Sequence, residues 1–157
     1  MNTFLVSSFL RASVCSLVLA VPVTVQAAEP EVIELTQTGC QFIESENGVD
    51  HGYVTRSKAD CERINHDTAD QRLTQARVLE LKPGRYIFRV TNRDVPYELG
   101  FWLRGASLVD RALLPSVSGG GLVTGSSRDY AIELKPGSYL YSCPLNTTPD
   151  YRLQVQD

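Results

Sequence analysis

The chain has 157 residues, of which 43% are apolar and 21% charged, and its formal net charge is −3. Positive charges form no run or patch, which argues against nucleic acid as a partner. The length is that of one ordinary domain with its own core.

Residues 1–27 resemble a cleaved signal peptide. An apolar run, ASVCSLVLAVPV, precedes the small-residue pattern VQA, and we expect cleavage after Ala27. The run has about a dozen residues, fewer than the roughly 20 that span a bilayer, so no membrane anchor is expected after cleavage. The sequence therefore predicts an exported, periplasmic product with a single domain over residues 28–157.

The mature chain begins with a strand and continues with a polar segment. Val32–Gln37 alternates apolar and polar residues, as a strand does. An insertion of about residues 41–76 follows, in which Ser57 with Asp60 and Thr68 with Gln71 resemble helix-capping pairs. These pairs predict two short helices between the first strands.

An internal echo follows the insertion. LELKPGRYIFRV and IELKPGSYLYSC each combine a strand end, a Lys-Pro-Gly turn and an alternating aromatic strand. Side chains two apart share one face of a strand, so the two aromatic faces are expected to meet in the core. The residues concerned are Tyr86, Phe88 and Val90 in the first copy and Tyr139, Tyr141 and Cys143 in the second.

Between the copies, Tyr97–Leu103 reads as a strand, and residues 104–127, which include SGGG, read as a flexible connection. The chain ends on another alternating run, YRLQVQ. Seven or so short strands with one helical insertion predict an all-β protein, a Greek-key β-sandwich.

The segments PGSYLYSC and FRVTNRDVPYELGF resemble the cupredoxins, the β-sandwich family of blue copper proteins. In that family two histidines, a cysteine and a weak axial ligand, often methionine, hold a type 1 copper. Cys143 matches the cysteine, but Tyr97 or Glu98 stands where the first histidine belongs. The loop PLNTTPDYRL contains no histidine or methionine, and His51 and His66 lie in the insertion. A type 1 copper centre is therefore not expected.

The chain resembles most the cupredoxin-like domains of periplasmic iron-uptake proteins of the EfeO type. That resemblance implies Cys40, Glu98 and Cys143 as metal ligands, with copper or iron as the metal. The insertion departs from that family's pattern, as does the lack of a second domain.

Three cysteines remain after cleavage, so one bridge and one free thiol are expected in an oxidising compartment. The bridge Cys40–Cys61 would close a polar loop and stabilise the fold by about 3 kcal/mol. Cys40–Cys143 and Cys61–Cys143 are the alternatives. Cys143 is thus a metal ligand, a disulfide partner or a buried core thiol.

Phe101 and Trp102 have opposite orientations on their strand, so one belongs to the core and the other can contribute to partner docking. No Ser/His/Asp or Cys/His set has a catalytic spacing, so an enzyme is not expected. The leading hypothesis is an exported module for transient copper or iron binding, whose partner is a periplasmic metal-handling protein or a membrane transporter. An interaction or structural module that has lost its metal site is the alternative, followed by an electron-transfer cupredoxin.

Overall fold

A computed structural model describes residues 29–157, and the predicted signal peptide lies outside these residues. Two sheets form a Greek-key sandwich, as the sequence predicted. The first sheet has the strand order β2-β1-β4-β7 and the second β3-β9-β8-β5-β6. The strands are β1 (Glu31–Thr38), β2 (Gln41–Phe42), β3 (Leu79–Leu81), β4 (Gly84–Asn92), β5 (Leu99–Gly105), β6 (Val117–Leu122), β7 (Ser127–Leu134), β8 (Gly137–Ser142) and β9 (Tyr151–Val155).

Strand β1 confirms the prediction for Val32–Gln37 and pairs in parallel with β4, with Leu35 opposite Val90. A second parallel pair, β3 with β9, lies in the other sheet. All remaining pairs are antiparallel. Among residues 29–157 there is no helix long and apolar enough to cross a membrane.

The two Lys-Pro-Gly turns carry the chain from one sheet to the other. The first leads from β3 in the second sheet to β4 in the first, and the second leads from β7 in the first sheet to β8 in the second. At each turn a tyrosine hydroxyl donates to the lysine carbonyl four residues earlier, from Tyr86 to Lys82 at 2.9 Å and from Tyr139 to Lys135 at 3.0 Å. The two similar sequence segments thus form the same turn, with the same hydrogen bond, at two places in the structure.

The predicted aromatic faces meet in the core. Phe101 of β5 lies between the sheets, with its ring centroid 5.6 Å from that of Phe88 and 6.3 Å from that of Tyr141. All six residues predicted to share this core are buried: Tyr86, Phe88, Val90, Tyr139, Tyr141 and Cys143.

The insertion differs from its prediction of two short helices. It contains a 3-10 turn, Glu44–Glu46, and a single helix, α1 (Lys58–Gln75). The first capping pair is confirmed, since the Ser57 N–H donates to Asp60 Oδ2 at 3.1 Å. The second is wrong because the Thr68 hydroxyl donates to the Ile64 carbonyl one turn earlier, at 2.8 Å, and so lies within a continuous helix.

The connection between β5 and β7 is also more regular than predicted. It contains a helix, α2 (Leu108–Leu113), and β6, in which Gly119 pairs with Phe101 of β5. A Cβ atom on Gly119 would lie 3.0 Å from the Tyr130 ring, and one on Gly100 would lie 2.6 Å from the Gly119 carbonyl oxygen. The glycines here allow the strands to pack closely. The sequence alone predicted a flexible connection instead.

Candidate functional site

Cys143 follows directly on β8 and is completely buried. Its sulfur accepts two backbone N–H groups, from Gly100 and from Asn146, each at 3.3 Å. Burial raises the pKa of the Cys143 thiol, and these N–H groups offset only part of that effect. The free cysteine is therefore a thiol inside the core and not an exposed nucleophile.

Asn146, three residues later, is the centre of a buried hydrogen-bond network. Its Oδ1 accepts the Cys40 N–H at 3.1 Å and the Tyr97 hydroxyl at 3.3 Å. Its Nδ2 donates to the Thr38 carbonyl at 2.8 Å. With no part of its surface exposed, Asn146 connects the Cys143 loop to β1 and to the turn after β4. A formal glycosylation sequon begins at this residue, but the amide is inaccessible.

Tyr97 reaches this network because it directly follows a turn that runs from Asn92 to Pro96. Asn92 Oδ1 accepts the Val95 N–H at 2.9 Å, and its Nδ2 lies 3.3 Å from the Tyr97 carbonyl. Burial raises the pKa of the Tyr97 phenol, whose hydroxyl lies 3.3 Å from both Thr55 Oγ1 and the Ser57 carbonyl. A neutral phenol therefore stands at Tyr97, one of the two positions where the cupredoxin pattern would put its first histidine, and it contacts Asn146 in the loop after Cys143.

The disulfide Cys40–Cys61 is present and confirms the favoured pairing. It joins the end of β1 to the first turn of α1 over a separation of 21 residues, with both cysteines fully buried. The Cys61 sulfur lies 3.2 Å from Asn146 Oδ1, a contact without a hydrogen bond, since a bridged sulfur has no proton. The bridge leaves Cys40 without a thiolate for a metal.

Glu98 lies on the surface, and its Oε1 accepts the Gly121 N–H at 2.6 Å. The three residues that the family resemblance implied as metal ligands are thus a bridged cysteine, a buried thiol and an exposed carboxylate bound to β6. Within residues 29–157 no group of three or more His, Cys, Asp or Glu could hold a metal ion.

A buried ion pair fixes α1 to the sandwich. Arg72 Nη2 lies 2.6 Å from Glu46 Oε1, and its Nε lies 3.0 Å from Oε2, with both side chains about 95% buried. Arg72 Nη2 also donates to the Cys40 carbonyl at 3.0 Å. Tyr151 of β9 donates its hydroxyl to the same carboxylate. Polar contacts, together with the bridge, therefore hold the insertion over the end of the sandwich where Cys143 lies.

The two histidines have different surroundings. His51 Nε2 lies 2.7 Å from Glu46 Oε2, and its ring stacks on Tyr53 at 5.4 Å. His66 lies on the exposed surface of α1, where hydrogen bonding to Asp67 raises its pKa. Both belong to the insertion, and neither is among the contacts of Cys143.

Of the two residues predicted for partner docking, only Trp102 is accessible. Phe101 is 1% exposed in the core, whereas Trp102 is half-buried on the outer face of β5. The Arg104 guanidinium lies 4.0 Å from the Trp102 ring centre, and that of Arg111 lies 5.8 Å away. Trp102 also borders a shallow groove of about 330 Å³ with the exposed Leu145.

Comparison with known proteins gives the fold. No protein-family model and no curated protein matches the chain. Among solved structures, auracyanin B superposes with a TM-score of 0.51 at 12% identity, covering 85% of this chain and 94% of that one. The fold is cupredoxin-like. At this identity the likeness concerns the fold alone, and a relation to EfeO-type proteins finds no support.

Two further structures give lower scores. A dithionite-reduced auracyanin from Roseiflexus castenholzii has a TM-score of 0.46 at 11% identity, covering 84% of this chain and all of that one. A multi-copper oxidase from Pediococcus acidilactici has a TM-score of 0.41 at 10% identity, covering 88% of this chain. The matched region is 29% of the oxidase.

The sequence reading missed the residues that organise this site. Asn146 lies in the loop after Cys143, where the family pattern directs attention to histidine and methionine. Only its position, three residues after Cys143, could have indicated from the sequence that Asn146 takes part in the site. Nothing in the sequence indicated that Arg72 and Glu46 are buried, because charged residues in a polar segment are usually solvated.

Proposed function

We propose that this protein is an exported cupredoxin-like binding protein that works without a type 1 copper centre. The observation that carries this proposal is the position of Asn146. Its amide holds the Tyr97 hydroxyl and the Cys40 N–H, and its own N–H donates to Cys143 Sγ. The loop that would carry copper ligands is closed by hydrogen bonds.

The donor set around the sulfur supports the same conclusion. The polar groups nearest the sulfur are the N–H groups of Gly100 and Asn146, which have no lone pair to offer a metal ion. Type 1 copper requires two imidazoles beside the thiolate. His51 is engaged with Glu46 and His66 with Asp67, so the residues around Cys143 do not fit the metal.

Export rests on the signal-peptide pattern of residues 1–27 and agrees with the disulfide, which forms and persists in oxidising compartments. In the periplasm the protein would act by binding, with a metal-handling protein or a membrane transporter as its partner. No catalytic role is proposed, since the buried Cys143 has no histidine among its contacts.

Transient copper or iron binding by Cys143 is the second candidate function. The two N–H groups directed at Sγ favour the thiolate, which is the form that binds soft metals. Burial acts in the opposite direction and raises the pKa of the thiol. Metal binding would therefore require the Cys143 loop to open.

Metal loading separates these functions. Purified mature protein and Cys143→Ser are incubated with Cu(II), with Cu(I) and with Fe(II), then desalted and analysed for metal and visible absorption. We expect no retained stoichiometric metal and no intense thiolate-to-copper band. A Cu(II) band that disappears in Cys143→Ser would overturn the proposal, whereas colourless Cu(I) or Fe(II) retained only by the wild type would establish the second candidate.

A further inference from the structure

A cavity of about 510 Å³ lies where the insertion meets the turn after β4. Its volume is in the range of small-molecule and peptide sites. It is separate from the Trp102 groove and shares no lining residue with it. The lining includes Thr38 and Gly39 after β1, Tyr53, Val54, Thr55 and Arg56 from the insertion, and Val95 with Pro96 from the turn.

One wall of this cavity is an unpaired, extended segment. The Val54 side chain is 87% exposed, whereas Thr55 is 4% exposed and Tyr53 is half-buried, which is the alternation of a strand. Within residues 29–157 the backbone N–H and C=O groups of Tyr53, Val54 and Thr55 have no hydrogen-bond partner. Such a free edge can pair with another extended chain.

The side of this segment opposite Val54 packs against Gly39, which follows β1. A Cβ atom on Gly39 would lie 2.2 Å from the Tyr53 carbonyl oxygen, so this carbonyl faces β1. Successive peptide groups in an extended chain point to opposite edges, which directs the N–H and C=O of Val54 away from β1. The edge available to a partner is therefore that of Val54.

The charges around the cavity leave one cation free. Arg93 pairs with both Asp50 and Asp94. Arg56 is exposed, and within residues 29–157 its guanidinium forms no ion pair. Its backbone N–H is fixed by Asp60 Oδ2 at 2.9 Å, which places the residue at the end of the free edge. The four charged residues Asp50, Asp94, Arg93 and Arg56 sum to zero, and Arg56 is the one among them with no ion-pair partner in residues 29–157.

We propose that this cavity binds the extended C-terminal segment of a partner protein. The peptide backbone pairs with Val54, an apolar side chain enters the cavity beside Val95 and Pro96, and the terminal carboxylate pairs with Arg56. Both β-strand addition and carboxylate capture are known modes of peptide recognition. This inference rests on the proposed function and gives that binding role a partner class and a site.

The test uses the mature, metal-free protein and the peptide acetyl-Ala-Val-Ala-Val with a free carboxylate, followed by amide NMR shifts. We expect shifts confined to residues 53–56 and the turn at 94–96. The same peptide with an amidated C-terminus should bind about three- to fivefold more weakly, as should the free peptide to Arg56→Gln, because an exposed ion pair is lost. Arg85→Gln, at the other end of β4, is the matched control and should bind normally.

A second pair of variants tests the backbone edge. Val54→Pro removes the N–H, and Val54→Ala keeps it, while the 87% exposed side chain contributes little to folding. Val54→Pro should abolish binding with an unchanged thermal midpoint, and Val54→Ala should not affect binding. Equal binding of the acid and the amide, normal binding by Val54→Pro, or no shifts at millimolar peptide would each overturn the inference. Metal content, measured on the same sample, tests the proposed function separately.

Discussion

Arg72 and Glu46 form a two-point ion pair that is almost completely closed to solvent, with side-chain exposures of 6% and 5%. Removing one partner leaves an uncompensated buried charge, which costs about 3–5 kcal/mol. Arg72→Met should lower the free energy of unfolding by that amount, measured by urea denaturation. Arg63→Met, on the exposed side of α1, should cost about 1 kcal/mol or less. A similar loss of unfolding free energy in both variants would show that the buried pair stabilises the protein no more than an exposed one.

The same pair predicts a pH dependence. Burial alone would raise the pKa of Glu46, but the hydrogen bonds from Arg72 and Tyr151 outweigh it and hold the pKa below the ordinary value of 4.5. A lowered carboxyl pKa gives stability that is fully present above the unfolded pKa and is lost as the pH falls through the folded one. Stability should therefore fall on acidification below about pH 4.5. The slope should be smaller in Glu46→Gln, and an identical slope would contradict the assignment.

Asn146→Ala should destabilise the protein by about 1–3 kcal/mol, because the Cys40 N–H and the Thr38 carbonyl lose their partner inside the protein. Chemical denaturation measures the change. Gln71→Ala, which removes an exposed amide from α1, is the control and should stay within about 0.5 kcal/mol of the wild type. The prediction fails if the two substitutions are equivalent.

Thiol counting checks the cysteine assignment. The native mature protein should show no rapidly reacting thiol, because Cys143 is completely buried, and the denatured, unreduced protein should show one. The double variant Cys40→Ser/Cys61→Ser should lose about 3 kcal/mol of stability through the opened loop. Three thiols in the denatured, unreduced protein would exclude the bridge.

The two tyrosines at the Lys-Pro-Gly turns should differ in cost. Tyr86 gives one hydrogen bond, to the Lys82 carbonyl, so Tyr86→Phe should cost about 0.5–1.5 kcal/mol. The Tyr139 hydroxyl also accepts the Lys135 N–H at 3.2 Å, and Tyr139→Phe should therefore cost more. Differential scanning calorimetry can rank the variants, with Tyr53→Phe as a control that removes a hydroxyl at the surface. The reverse order of cost would count against this reading of the turns.

The parts of the fold that local patterns determine could be predicted from the sequence. The alternation around Tyr86 and Tyr139 placed both aromatic strands, and Ser57 with Asp60 marked the start of α1. Thr68 misled because its hydroxyl can bond either to a helix start or to the preceding turn, and the choice depends on packing. The prediction that SGGG is flexible was wrong because these glycines are required by close contacts with β5 and Tyr130. Those contacts cannot be recognised from the local sequence.

The candidate site was less predictable for the same reason. Loop closure only favoured Cys40–Cys61 over two alternative bridges. The role of Asn146 depends on Thr38, Cys40 and Tyr97, which are far from it along the chain. Whether a buried charge such as Glu46 has a partner is also decided only when the insertion folds back. Sequence reading therefore identified the scaffold and the cysteine, while the hydrogen bonds that close the site required the three-dimensional arrangement.

The parallel pairing of β1 with β4 has a consequence for the speed of folding. These strands are neighbours in the first sheet, yet the whole insertion separates them along the chain. Contacts between distant segments slow folding, since the intervening chain must be confined first. The Cys40–Cys61 bridge lies within that interval and removes a loop of 21 residues from the search. Oxidised chains should thus refold faster than reduced ones, so thiol oxidation would serve as a kinetic aid to assembly of the sandwich as well as a source of stability.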